Sequence, residues 1–137
     1  MPSRHGWVVR KISIEENLPD SVFTVGLAED EAGQGCYLVF QCGLEEPSEQ
    51  NRRLGLDSYC ILNESGGVDY GGVEEVSISQ NRLTLRFREE AIEELELPNE
   101  NIVLAFHSGS DMAGLRIGLG RILSYGDPEK FPRVMNL

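Results

Sequence analysis

Short runs in which apolar and polar residues alternate dominate the first two-thirds of the chain. Phe23, Val25 and Leu27 alternate with small or polar residues, which predicts a strand with one buried face. The run from Cys36 to Cys42 also alternates, but it carries apolar side chains on both faces, which predicts a central strand. Two further segments are rich in strand-forming residues, namely Trp7–Ile14 and Tyr59–Leu62.

A β-hairpin is the clearest local unit of the sequence. Val76 and Ile78 alternate with serines, and residues 79–82 supply polar turn residues. Leu83 and Leu85 then alternate with Thr and Arg on the returning strand. Because the outward positions are polar, we expect one side of this sheet to face water.

Helical spacing replaces alternation after the hairpin. The segment Arg88–Leu97 places its apolar residues on one stripe, and Pro98 ends it. A short apolar strand at Ile102–Phe106 precedes a last helix, for which Ser110 is a suitable N-cap and which reaches Leu123. Three glycines in this last helix predict a close approach to the sheet, namely Gly114, Gly118 and Gly120.

The order of these elements favours an α+β fold. We predict a mainly antiparallel sheet of about six to seven strands, with two helices in the C-terminal half of the chain. A length of 137 residues is sufficient for one core, so we expect a single domain over residues 1–137. Residues 125–137 contain two prolines and no clear periodicity, and we expect an irregular C-terminal tail there.

Negative charge is concentrated in the middle of the chain. Residues 15–75 contain 14 acidic residues and only two arginines, a net charge of −12, whereas the rest of the chain is nearly neutral. A surface of this kind attracts basic partners and repels nucleic acids and anionic membranes. The sequence therefore predicts no direct binding to nucleic acid, because phosphate contacts need clustered Arg or Lys.

The histidine and cysteine residues do not form a recognisable catalytic or metal-binding set. His107 and the three cysteines, Cys36, Cys42 and Cys60, have no zinc-ligand spacing, and we expect no metal and no cofactor. A Cys60 nucleophile with His107 as its base is a formal alternative, but a thiol within a strand is usually buried and inert. The glutamates of the segment 89–96 alternate with apolar residues, which is typical of the solvated face of a helix.

The expected location is the cytoplasm. An odd number of cysteines argues against a disulfide framework and favours reduced thiols. Residues 1–7 contain no apolar run of the kind found in secretory signals, and the chain has no stretch long enough to span a membrane.

Several short segments together resemble a known family. They are Gly26–Glu31, Tyr37–Gln41, Leu54–Tyr59, Gly67–Val73, Leu83–Leu85 and Gly118–Leu123. In this order they resemble the immunity protein 10 family of bacterial polymorphic toxin systems, over roughly residues 22–123. The resemblance implies an intracellular antidote that binds a cognate toxin and blocks it without chemistry of its own.

The resemblance directs attention to acidic loops and exposed aromatic residues, because tyrosines concentrate binding energy while charges speed association. On this basis we predict that the partner, a protein toxin with a basic surface, is bound by six residues: Glu45, Glu46, Glu49, Asp57, Asp69 and Tyr70. Gly71 and Gly72 are expected to have a structural role, in a tight turn with positive φ.

An alternative from another class is a self-associating structural or regulatory domain, which would form a homodimer. The C-terminal segment motivates it, because four apolar residues lie there, namely Phe131, Val134, Met135 and Leu137.

Overall fold

The computed structural model describes residues 6–137, and the first five residues of the segment that we expect to lack a secretory signal lie outside this range. Ten strands occupy Gly6–Val9 (β1), Lys11–Asn17 (β2), Val22–Ala28 (β3), Tyr37–Gly43 (β4), Cys60–Asn63 (β5), Val68–Tyr70 (β6), Val73–Ser79 (β7), Arg82–Phe87 (β8), Asn101–Phe106 (β9) and Val134–Asn136 (β10). Three α-helices occupy Glu49–Arg53 (α1), Glu89–Glu94 (α2) and Met112–Leu123 (α3), and a 3-10 helix occupies Pro128–Lys130.

The strands form two five-stranded sheets. Sheet I has the order β1-β9-β8-β7-β10, and sheet II has the order β2-β3-β4-β5-β6. Neighbouring strands are antiparallel except for β1 with β9 and β7 with β10. The α+β class and the mainly antiparallel pairing are therefore confirmed, and β4 is the central strand of sheet II, as its two apolar faces predict.

The prediction of one sheet with six to seven strands is wrong. The β-rich segment Trp7–Ile14 is divided at Arg10, because β1 pairs with β9 in sheet I while β2 pairs with β3 in sheet II. The chain changes sheets again at Gly71 and Gly72, between β6 and β7. Alternation along a strand marks its buried face but does not reveal which sheet contains it.

The inner faces of both sheets and one face of α3 form a single hydrophobic core. Phe40 in sheet II, Leu83 and Leu104 in sheet I and Leu119 in α3 are completely buried in it. The helix α3 contacts β2, β3 and β4, so it covers the inner face of sheet II. Its N-cap is Asp111 rather than Ser110, because the Asp111 carboxylate accepts a hydrogen bond from the backbone N–H of Gly114 at 2.9 Å.

The C-terminal segment 125–137 contains more structure than we expect from the sequence. The 3-10 helix begins at Pro128, and the carboxylate of Asp127 accepts a hydrogen bond from the backbone N–H of Glu129 at 3.0 Å. The strand β10 then pairs with β7 in parallel orientation. Because that pairing joins residues distant in the sequence, local periodicity gives no sign of it.

Candidate functional site

The acidic segment of the sequence corresponds to one half of the fold. Sheet II and its connecting loops extend from Lys11 to Tyr70, and these residues contain 12 of the 23 acidic residues but only three of the 12 basic ones. In sheet I, by contrast, the outward positions of β8 are Arg82, Thr84 and Arg86. The charge imbalance along the chain is therefore an imbalance between the two sheets.

A surface loop between β4 and β5 brings together four of the six residues that we predict to bind a partner. This acidic loop, defined as residues 44–57, contains the exposed side chains of Glu45, Glu46 and Glu49 and the half-buried Asp57. Within residues 6–137, the carboxylates of Glu45 and Glu46 form no ion pair. Their charges are therefore available to a partner that approaches this loop.

The short helix α1 gives the acidic loop a defined shape. The hydroxyl of Ser48 accepts a hydrogen bond from the backbone N–H of Asn51 at 3.0 Å, which caps the helix. Glu49 lies in the first turn and forms an exposed ion pair with Arg53 at 3.0 Å. This pair reduces the negative charge that Glu49 offers, so Glu45 and Glu46 dominate the field of the loop.

The C-terminal segment holds both ends of the acidic loop. The hydroxyl of Tyr125 donates a hydrogen bond to the backbone carbonyl of Glu45 at 2.8 Å. The backbone N–H of Asp127 donates to the carbonyl of Asp57 at 2.8 Å. Because the two ends are fixed, the loop is largely organised before a partner arrives, which lowers the entropic cost of binding.

A hollow of about 350 Å³ lies between the acidic loop and the end of α3. Glu45, Glu46, Arg52 and Arg121 are among its lining residues. The guanidinium of Arg121 lies 4.3 Å from the centre of the Phe23 ring and pairs with Glu16 at 3.0 Å, so Arg121 is held in place by neighbours. The hollow is polar and contains charges of both signs.

Two leucines in the acidic loop are exposed and were missed in the sequence analysis. Leu54 is 62% exposed, and Leu56 is 38% exposed on the other side of Gly55. The sequence feature that could have identified them is a pair of leucines on either side of Gly55 within an acidic segment. Protein interfaces commonly combine an apolar core with a polar rim, and charges on the rim steer the approach of the partner.

Asp69 is buried, contrary to the expectation that it lies on the partner-binding surface. It is opposite Ile61 on the inner face of sheet II, and its side chain is 6% exposed. Burial raises the pKa of this carboxyl, Lys130 opposes the rise, and Glu90 and Glu94 add to it. One carboxylate oxygen has no hydrogen-bond partner within the described residues. A partner that approaches the surface therefore has almost no access to the side chain of Asp69.

Tyr70 and the two glycines that follow it have different surroundings. Tyr70 is on the outer face of β6, opposite Cys60, and is 37% exposed. Gly71 has a φ of +72°, which is the turn geometry that we predict. Gly72 does not have a positive φ and is required for a different reason, because a Cβ there would overlap the Asp69 carboxylate.

The thiols of Cys42 and Cys60 have the opposite properties to those of a nucleophile. Burial raises the pKa of Cys42 to about 11 and also raises the pKa of Cys60, so both remain protonated at neutral pH. Cys60 belongs to sheet II, whereas His107 follows β9 in sheet I. Within the described residues, none of the three cysteines forms a disulfide.

Metal-binding clusters and membrane-spanning helices are both absent from residues 6–137. In this part of the chain, no three His, Cys, Asp or Glu side chains gather closely enough to hold a metal ion. No helix in the same range has both the length and the apolar character needed to cross a membrane.

Comparison with known proteins identifies one family. The sequence model of the family described as immunity protein 10 matches residues 8–111. This match begins in β1 and stops at the N-cap of α3, so it starts earlier and ends earlier than the resemblance over residues 22–123. No curated protein and no solved structure matches the chain.

Proposed function

Because the chain belongs to the immunity protein 10 family, we propose that it neutralises a cognate bacterial toxin by binding it in the cytoplasm of the cell that makes both. The inhibitor acts by occupying the toxin and leaves the toxin's covalent structure unchanged. A toxin that acts on nucleic acid needs a basic cleft to hold phosphate groups. An acidic inhibitor that covers this cleft removes the toxin's access to its substrate.

The observation that carries this proposal is the concentration of acidic residues in sheet II and its loops. Complementary charge increases the rate at which two proteins meet, by up to about a thousandfold at low ionic strength. Rapid capture is valuable for an inhibitor whose target damages the cell that makes it. The charge distribution also prevents the inhibitor from competing with the toxin for nucleic acid.

The acidic loop is the part of this surface that we assign to first contact. Glu45 and Glu46 attract the toxin, and Asp57 and Glu49 contribute at the edge of the loop. Leu54 supplies an exposed apolar side chain that becomes buried in the complex. The attachment of the loop to residues 125–127 keeps these groups in one arrangement.

A binding role, rather than an enzymatic one, is supported by the state of the thiols. Burial keeps Cys60 in the protonated form, and His107 is on the other sheet. Cysteines that form no disulfide within residues 6–137 also fit a reducing compartment such as the cytoplasm.

Co-expression tests the proposal directly. The C-terminal domain of the toxin encoded in the neighbouring reading frame is expressed in bacteria, with and without this chain. We expect growth arrest with the toxin alone, growth with both proteins, and a complex of the two on gel filtration. Continued arrest in the presence of the folded chain, together with no complex, would reject the proposal.

Self-association is a second candidate function, and the outer edge of sheet I favours it. The strand β10 is the last strand of this sheet and exposes Val134 and Met135. An edge strand presents backbone groups that another copy of the chain can pair with. Sedimentation at high concentration decides between the two states, because a strict monomer excludes a homodimer.

A further inference from the structure

The outer face of sheet II is apolar where a solvated sheet face is normally polar. Val39, Leu62 and Val68 lie side by side across β4, β5 and β6, and Gly26 continues the row on β3. Val68 is 40% exposed, and Val39 and Leu62 are partly exposed. A continuous apolar row on an open face is typical of an interaction site.

The hydrophobic core does not account for this row. The inward residues of β4, such as Leu38 and Phe40, are buried in the core, whereas Val39 neither belongs to the core cluster nor packs against it. The hairpin of sheet I shows the usual pattern, since Ser77 and Thr84 occupy its outward positions. The outward positions of this hairpin are therefore polar, whereas the row across β4, β5 and β6 is apolar.

A hollow of about 220 Å³ interrupts the row at Gly26. Gly26 is between Ser13 on β2 and Val39 on β4, and the loop residues Asp30 and Glu31 form one wall. A Cβ at Gly26 would meet only the Cβ of Ser13, at 3.6 Å. The volume is several times the ~30 Å³ share of one liquid water, so it accommodates an apolar side chain.

The row next to the apolar one is held by hydrogen bonds between strands. The side-chain amide of Gln41 donates to the Thr24 hydroxyl at 3.3 Å, and the Cys60 thiol donates to the Gln41 carbonyl oxygen at 3.7 Å. Tyr70 lies beside Cys60 at the end of the same row. This face therefore offers fixed polar groups and a tyrosine beside the apolar row. Because these groups are already ordered, the entropic cost of binding a partner is lower.

The rim of the face is acidic and determines which partner fits. Glu15 lies at one edge, Asp30 and Glu31 lie beside the hollow, and a carboxylate oxygen of Glu64 accepts the backbone N–H of Tyr37 at 2.9 Å. Lys11 is the basic residue among those that line the hollow. A second copy of the chain would bring two acidic rims together, which costs free energy.

We propose that the outer face of sheet II is the docking surface for the toxin, with an apolar toxin side chain in the hollow over Gly26 and basic toxin residues against the acidic rim. This inference rests on the proposed function and adds the location of the contact. The acidic loop at residues 44–57 governs the association rate of the toxin, and the outer face of sheet II governs its dissociation rate.

The first test fills the hollow. Gly26→Val adds a β-branched side chain to a strand position with space for its Cβ, so the variant is expected to fold. The purified toxin domain from the neighbouring reading frame is the probe, and association and dissociation rates are measured on immobilised inhibitor. We expect Gly26→Val to raise the dissociation rate at least tenfold. The matched control is Ser77→Val, which adds apolar volume to the outer face of sheet I and leaves both rates unchanged.

The second test removes apolar surface without adding volume. Val39→Thr combined with Leu62→Thr places a residue with high strand propensity at both positions and changes no charge. We expect a dissociation rate about tenfold higher than for the wild type, with little change in the association rate. Val103→Thr, on the outer face of sheet I, is the control with the same chemistry. Circular dichroism and urea midpoints verify that each variant is folded.

The outcomes separate this inference from the proposed function. If the wild type binds the toxin and both variants of sheet II dissociate at the wild-type rate, the docking surface is elsewhere and the proposed function stands. If the folded wild type forms no complex with the toxin domain, both are rejected. Faster dissociation of both variants, with unchanged controls, supports the assignment.

Discussion

The hydroxyl of Tyr59 accepts a hydrogen bond from the backbone N–H of Val73 at 3.0 Å, and this bond joins the two sheets. Tyr59 precedes β5 in sheet II and is completely buried, whereas Val73 begins β7 in sheet I. The same hydroxyl lies within hydrogen-bonding distance, 3.3 Å, of the carbonyl of Lys130 in the C-terminal segment. Burial raises the pKa of Tyr59 to about 12, so the group stays protonated and keeps its donor.

Removal of this hydroxyl is expected to weaken the fold. In Tyr59→Phe the buried N–H of Val73 loses its acceptor, and an unsatisfied buried group costs about 1–3 kcal/mol. Urea unfolding measures the change. Tyr70→Phe is the matched control, because Tyr70 is exposed and its hydroxyl forms no hydrogen bond within residues 6–137. Equal losses in the two variants would show that the Tyr59 hydroxyl has no special role.

The buried carboxyl of Asp69 is expected to destabilise the protein at neutral pH. Its pKa in the folded state is raised above the ordinary value of 3.8, chiefly by burial, so folding disfavours the ionised form. Below pH 3.8 the group is protonated in both states and has no effect. As the pH rises from 3.8 through the raised folded pKa, the unfolded state ionises first and stability is lost.

Asp69→Asn removes this ionisation and tests its sign. We expect the variant to unfold at a higher temperature than the wild type at pH 7, with the difference shrinking as the pH falls through the raised folded pKa and vanishing below 3.8. Thermal unfolding between pH 3 and pH 8 gives the comparison. A wild type that is more stable than the variant at pH 7, and less so in acid, would mean that the charge of Asp69 is favourable.

Two glycines of α3 are expected to respond differently to the same substitution. A Cβ at Gly118 would lie 2.9 Å from a methyl group of the buried Val25, whereas a Cβ at Gly120 has no neighbour nearer than Leu137 at 3.8 Å. Gly120→Ala should therefore stabilise the helix by about 0.5–1 kcal/mol. Gly118→Ala gains the same propensity but overpacks the core, which typically costs about 1–3 kcal/mol. Denaturant midpoints of both variants decide, and equal stabilisation would show that α3 has room to move.

The prediction of close approach by the glycines of α3 is thus borne out at Gly118, where the helix meets β3. Alternation also located β3, β4 and the β7–β8 hairpin, because in these elements one face is more buried than the other, and an apolar run located β9. Local patterns did not reveal β6 or β10, which have three residues each and exist through pairing with other strands. The division into two sheets depends on such pairing as well.

The candidate site was predictable only in part, for a related reason. Charge is visible in a sequence, so Glu45 and Glu46 were identified, and both are exposed. Burial depends on strand register, and Asp69 was misplaced because its position on the inner face of β6 is set by its pairing with Ile61. The exposed Leu54 was missed because a leucine is normally expected in the core.

The charge of the acidic loop is expected to control the speed of association. Replacement of Glu45, Glu46 and Glu49 by Gln should slow binding of the toxin domain several-fold at low salt, and less at 0.5 M salt, because ions screen exposed charges. The dissociation rate should change little. Stopped-flow measurements across a salt series give both rates.

A control with the same change in charge uses the helix α2 and Glu96, which follows its C-cap Leu95. Glu89, Glu93 and Glu96 are exposed and lie outside the acidic loop, and their replacement by Gln removes three negative charges as well. We expect a smaller effect on association than in the loop variant. Similar slowing in both variants would indicate that net charge, rather than the position of the acidic loop, determines the rate.

Titration of the toxin's activity with this protein tests the central claim most directly, because a binding inhibitor and an enzyme leave different products. We predict that activity falls linearly to zero at a fixed molar ratio, and that toxin separated from the inhibitor under denaturing conditions and refolded regains activity with unchanged mass. Inactivation by much less than one equivalent of this protein, or a toxin of altered mass, would contradict the account.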